Sequence, residues 1–153
     1  MMGAWILLAG LASLAALALY IRLAPSDPAR WHTDPADPAL SLGEGRFLLR
    51  PEGGDAAGPL FPFAPQALLE KLDAVAMAAP RTSRLAGSPA EGRITWITRS
   101  ALWGFPDYTT AAAIPESQGA RLLIHARLRF GRRDFGVNRA RVRNWLARLS
   151  LAS

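Results

Sequence analysis

The sequence predicts an α+β domain: a two-layer antiparallel sheet of about four strands packed with two helices, after one N-terminal transmembrane helix. Three observations predict it. An apolar run of about twenty residues opens the chain, the hydrophobic period changes from helical to two after residue 82, and helical spacing returns at the C-terminus. At 153 residues there is room for one domain beyond the apolar run. The expected divisions are 1–24 for the anchor, 25–44 for a proline-rich tether and 45–153 for the domain.

From Ala4 to Leu23, AWILLAGLASLAALALYIRL carries one charge, Arg22. About twenty such residues, rising 1.5 Å each, match a hydrocarbon core of about 30 Å. Tyr20 and Arg22 stand where an aromatic anchor and a snorkelling cation mark the interface. The alternative, a cleaved signal peptide, needs a basic leading segment, and MMGAW supplies no basic side chain.

The stretch PSDPARWHTDPADPAL is polar and punctuated by proline, the composition of an extended tether. Trp31 and Leu40 give it something to pack with. GRFLLRP, 45 to 51, has the makings of a short strand stopped by Pro51, and EGGDAAGP is a loop. A helix is expected from Pro65 to Ala79. Pro65 suits a first helical position, Leu68, Leu69, Leu72, Val75 and Met77 supply the apolar stripe, and Pro80 stops it.

From Thr82 the segments TSRLAG, GRITWITRSAL, YTTAAAI and ARLLIHARLRF are separated by turn chemistry in GSPAEG, WGFPD and PESQG. That pattern is an antiparallel meander. In the last strand Leu122, Ile124, Ala126, Leu128 and Phe130 point one way. Arg121, Leu123, His125, Arg127 and Arg129 point the other, onto a face expected to be wetter. Arg99, opposite in parity to Trp96, is placed to extend that basic face. The closing helix is expected to take Asn138 as its N-cap, with Val137 and Val142 as a hydrophobic staple. Val142, Trp145, Leu146 and Leu149 form its docking stripe.

The net charge of +6 is unevenly distributed, being −3 over residues 1–80 and +9 over 81–153. Every basic residue of the second half is arginine, which favours planar, bidentate recognition of carboxylates and phosphates. RFGRRDFGVNRARVRNW, 129 to 145, holds six arginines and one acid. Cations at a helix start oppose the macrodipole, so an anion among them is expected. It is either the protein's own Asp134, with Asp107 of a nearby turn, or an external ligand. In the first case Asp134, Gly131, Gly136 and Asp107 form a structural clasp at the strand-to-helix corner. In the second, Arg99, Arg127, Arg129, Arg133, Asn138, Arg139 and Arg141 are the candidate ligand-binding set.

Gly131-x-x-Asp134-x-Gly136-x-Asn138-Arg139-x-Arg141, preceded by Arg127-x-Arg129, resembles the signature of a domain family of unknown function found in bacterial and plastid proteins. Arg99-Ser100 and the Phe105-Pro106-Asp107 turn fit that family's preceding strand and turn. The likeness covers about residues 65 to 150. The chain differs in having Leu128 where family members often have a small polar residue, and in lacking a cysteine before the domain. The resemblance implies a domain often found with membrane segments, whose biochemistry is not established. The expected location is a bacterial cytoplasmic membrane, crossed once. Arg22 and Arg30 after the span would hold the domain in the cytoplasm, whereas a short N-tail before a long span is the shape of an exporting signal anchor. The periplasmic side is the expectation adopted. The absence of cysteine suits either side.

Catalytic machinery is not evident. His32 and His125 are too far apart for a local metal motif, no phosphate loop or nucleophile elbow occurs, and no catalytic residue, metal or cofactor is assigned. A lone strand histidine is more often structural, although His125, Asp107, Asp134 and Ser100 could meet in space. The leading expectation is non-catalytic binding of a carboxylate, phosphate or lipid headgroup by the arginines. A pocket predicts that Arg127, Arg129 and Arg139 converge on one concavity. The alternative is a scaffold subunit of a membrane protein assembly, with the arginines splayed over a flat face and Trp103 or Phe105 of WGFPDY exposed. Nucleic acid is the weakest partner, because the aromatics form no regular stacking platform.

Overall fold

The structure is a computed structural model, and it describes residues 2–151. Helix α1, Met2–Leu23, has a mean hydropathy of 2.2, long and apolar enough to cross a membrane. Of its residues Ile21 is buried, so the helix stands off the domain except at its last turn. A short helix α2, Pro28–Trp31, follows. Strands β1, Arg46–Leu49, and β2, Leu60–Phe61, precede helix α3, Pro65–Met77. The meander is β3, Thr82–Ser88, β4, Arg93–Arg99, β5, Pro106–Glu116, and β6, Gly119–Leu128. Helix α4, Val137–Leu151, closes the chain.

The sheet runs β1-β6-β5-β4-β3, with β2 also pairing β6, and every pairing of these strands is antiparallel. It has six strands where the meander predicts about four. β1 coincides with the short strand expected in GRFLLRP. β2 has two residues, too few for an alternating pattern to mark it. Gly58 precedes β2 where a Cβ would stand 1.7 Å from the Leu122 carbonyl oxygen, so the approach to β6 requires glycine.

One face of the sheet is apolar. Phe47, Leu49, Ile94, Trp96, Leu122, Ile124 and Ala126 meet Leu68, Leu69 and Leu72 of α3 and Val142, Trp145 and Leu149 of α4 in one core. Trp96 and Trp145 pack edge to face with centroids 5.5 Å apart, an arrangement that suits their quadrupoles. The Trp96 Nε1–H, which burial would otherwise leave unsatisfied, donates to Asp73 of α3 at 2.8 Å.

The other face is less wet than alternation suggests. Leu48, His125, Thr110 and Thr95, register neighbours across four strands, are all buried. Segment 24–41, the proline-rich stretch, covers this face as a strap. Trp31 stacks on Tyr108 at 3.9 Å, 12° from parallel, and the two form a second small core with Ile97. Thr110 Oγ1 donates to the Trp31 carbonyl at 3.4 Å, and His32 Nδ1 bonds Thr95 Oγ1 at 2.8 Å. The strap has a local code. Asp27, Asp34 and Asp37 each open an Asp-Pro-Ala triplet, and each Oδ1 accepts the alanine N–H two residues on at 2.8 to 2.9 Å. These Asx turns bend the segment without a continuous helix.

Candidate functional site

Arginine attaches the strap to the sheet. Arg129 Nη1 donates to the carbonyls of Pro25 at 2.9 Å and Ala24 at 3.4 Å, and to the Tyr108 hydroxyl at 3.0 Å. Arg127 Nη2 donates to the carbonyls of Trp31 at 3.1 Å and Arg30 at 3.2 Å. Its guanidinium lies 4.8 Å from the Trp31 ring centroid, a cation–π distance. Arg93 Nε donates to His32 Nε2 at 3.1 Å. From β1's end, Arg50 reaches the carbonyl of Asp37 at 2.7 Å. The alternation in β6 that puts Arg127 and Arg129 on one face thus aims them at backbone oxygens a hundred residues earlier.

The candidate arginines separate into several environments. Arg127 and Arg129 share a cleft of about 500 Å³, between strap and sheet edge, with Arg30, Arg46, Arg132 and Glu44. Arg99 donates to the Gly104 carbonyl at 3.0 Å and borders a different groove with Arg22 and Arg81. Arg133 pairs with Glu44 at 3.0 Å. Arg139 lies 3.6 Å from Asp55 and over the Phe47 ring, away from the residues that line the cleft. Arg141 bridges Asp107 at 2.9 Å and Asn138 Oδ1 at 2.7 Å.

At the entrance to α4 the capping group is Asp134, not Asn138. Its two carboxylate oxygens accept the N–H groups of Gly136 at 3.0 Å and Asn138 at 2.8 Å. Burial works to raise its pKa, but those backbone N–H groups outweigh it and hold the carboxyl below its ordinary value. Asn138 is instead fully buried, bonded to Arg141 and to the Gly45 carbonyl at 3.5 Å. The sequence put a good capping residue one position inside the helix. A carboxylate four residues upstream reaches the free amides first, because Gly131 and Gly136, with φ of 94° and 81°, turn the chain back over its own amides. Val137 is exposed and does not close a staple over buried Val142.

The electrostatics of the cleft are those of crowded cations. Arg127 is pushed down to about 10, by burial first and then by Arg46 and Arg30. His125 is pushed down to about 3, again by burial first, then by Arg127, Arg46 and Arg50. Neither His125 nitrogen has a hydrogen-bond partner among the described residues. His125 cannot couple to Asp107, which lies on the opposite face beside α4. Asp107 is raised above its ordinary value by burial, against the pull of Arg141. Among the described residues no group of three or more His, Cys, Asp or Glu is placed to hold a metal ion.

Three arginines of the cleft, Arg30, Arg46 and Arg132, lie outside the ligand-binding set expected from the sequence. Arg30 sits in the strap and Arg46 at the start of an edge strand, and no local spacing links them to Arg127. The available signal was Trp31, a large aromatic in an otherwise polar, proline-rich stretch.

Residues 27–149 match the family described as Protein of unknown function (DUF1499), and the chain belongs to that family. The match begins in the strap, upstream of the residues 65 to 150 that carry the resemblance in sequence, so strap and sheet belong to one family unit. No curated protein and no solved structure matches the chain.

Proposed function

We propose that this member of the DUF1499 family is a single-pass membrane-anchored domain that binds a small oxyanion, a phosphate or carboxylate group, in the cleft between strap and sheet edge. The observation that carries the reading is uncompensated charge. Arg30, Arg46, Arg127, Arg129 and Arg132 surround the cleft, and Glu44, its one acid among the described residues, is already paired with Arg133. The bonds of Arg127 and Arg129 to the strap use neutral carbonyls, which satisfy N–H groups but cancel no charge. An oxyanion offers both, and guanidinium geometry favours it. The reading involves no chemical step.

Thermal unfolding of the full chain in neutral-lipid nanodiscs tests it. Phosphate, sulfate, a dicarboxylate and glycerophosphate, the last standing for a lipid headgroup, are compared with chloride at equal ionic strength. A ligand at ten times its Kd stabilises by about 1.4 kcal/mol, a rise of roughly 5 °C in a domain of this size. Arg132→Gln and Arg46→Gln should each reduce the rise and leave the chloride midpoint nearly unchanged. Equal midpoints in every anion would overturn the proposal.

A further inference from the structure

The strongest unexplained surface lies at the end of the domain where α1 arrives. The β4–β5 loop exposes Leu102 at 75% and Trp103 at 46%, and the corner into α4 exposes Phe135 at 94% and Val137, the first residue of α4, at 50%. The two loops meet along one groove, lined by Ser100, Phe105, Phe130, Phe135 and Val137 among others. Phe135 has φ 50°, a left-handed conformation that a bulky side chain rarely adopts. The Asp134 carboxylate braces it, by accepting the amides of Gly136 and Asn138, both just past that residue. The chain therefore holds a phenylalanine in a disfavoured backbone state with its ring directed into solvent.

The last turn of α1 packs on the same two loops. Tyr20 sits edge-on to Phe130 with centroids 6.3 Å apart. Arg22 donates to the Leu102 carbonyl at 3.3 Å, and its side chain lies where a Cβ on Gly104 would come within 3.1 Å. Both loops thus touch the last turn of the apolar span. Tryptophan and phenylalanine favour the membrane interface at the end of such a span.

We propose that the loops 100–105 and 130–137 dip into the lipid interface, with Leu102, Trp103, Phe135 and Val137 in the headgroup–acyl boundary. The domain then lies against the bilayer at a fixed orientation and is not free on its anchor. This rests on α1 spanning a bilayer, part of the function proposed above, and is independent of the anion cleft. It assigns the exposed aromatics to lipid and not to a protein partner.

The chain has no cysteine, so single thiols can carry a nitroxide uniquely. The full chain is reconstituted in phosphatidylcholine–phosphatidylglycerol vesicles as Leu11→Cys, Leu102→Cys, Phe135→Cys and Ala90→Cys. Collisions with oxygen, which partitions into lipid, are compared with those of a water-soluble nickel chelate. Leu11 reports on the span, and Ala90, in the turn at the other end of β4, reports on water. Labels at 102 and 135 should be several-fold less accessible to nickel than the label at 90, and more accessible to oxygen. If they match Ala90 while Leu11 is immersed, the docking is wrong and the anchor stands. Shielding of 102 and 135 from both reagents would mean a protein cover and also overturn it. Nickel access at Leu11 would overturn the anchor, and the docking with it.

Discussion

The two faces of the sheet are held by different physics. Against α3 and α4 the contact is apolar and close packed, with Trp96, Trp145 and ten or so aliphatic side chains in one cluster. Against the strap it is a row of arginine-to-carbonyl bonds around one stacked pair, Trp31 on Tyr108. Burial of apolar area is non-directional and tolerates modest rearrangement. Guanidinium bonds to particular carbonyls are directional, and they leave net positive charge behind. The first face makes the domain stable, while the second fixes where a segment of chain lies and leaves a site for an anion.

The largest effect should come from breaking each face at its tryptophan. Trp96→Ala removes a buried ring and its bond to Asp73, costing roughly 3–5 kcal/mol, enough to unfold most of a marginally stable domain. Trp31→Ala should cost less, roughly 2 kcal/mol, and act locally. Protease should then cut within 25–44 while the circular dichroism of the sheet persists. Equal global unfolding by both variants would mean that the strap is as integral as the helical core.

A pH dependence sharpens the contrast, because His125 lies on the strap face. It is held neutral with a pKa near 3 in the folded chain, against about 6.5 when unfolded. Between those values the unfolded chain binds a proton that the folded chain does not. Stability contributed by the neutral imidazole is therefore complete above about pH 6.5 and falls as pH drops toward 3, by up to about 1.4 kcal/mol per pH unit. His125→Leu should flatten this slope in denaturant titrations from pH 7 to 4. It should do so at little cost at pH 7, since no partner loses a bond. An unchanged slope would refute the assignment.

Smaller effects belong to the corner between the faces. Asp134→Ala deletes the cap of α4 and should cost about 1 kcal/mol, read from the denaturation midpoint. It also frees position 135 from its left-handed turn. Arg133→Gln breaks only an exposed pair with Glu44 and should shift stability by less than about 0.5 kcal/mol. If Arg133→Gln cost more than Asp134→Ala, the cap would not be what holds the helix start.

Much of this architecture is legible in the sequence. The apolar span, the helix at Pro65, the change to period two and the docking stripe Val142, Trp145 and Leu149 are local patterns, set by side-chain spacing against a fixed backbone repeat. So is the division of β6, where parity alone separates Leu122, Ile124 and Ala126 from His125, Arg127 and Arg129. The Asp-Pro-Ala triplets were equally readable, since each makes its turn with its own side chain. What tertiary structure decided is which oxygen each arginine meets. Arg127 bonds carbonyls of residues 30 and 31, Arg129 those of 24 and 25, and Arg139 finds Asp55. A guanidinium has the same donors wherever it stands, and no local period encodes an acceptor a hundred residues away. The fold brings strap and strand together through the burial of Trp31, and the arginine-to-carbonyl bonds follow from that contact.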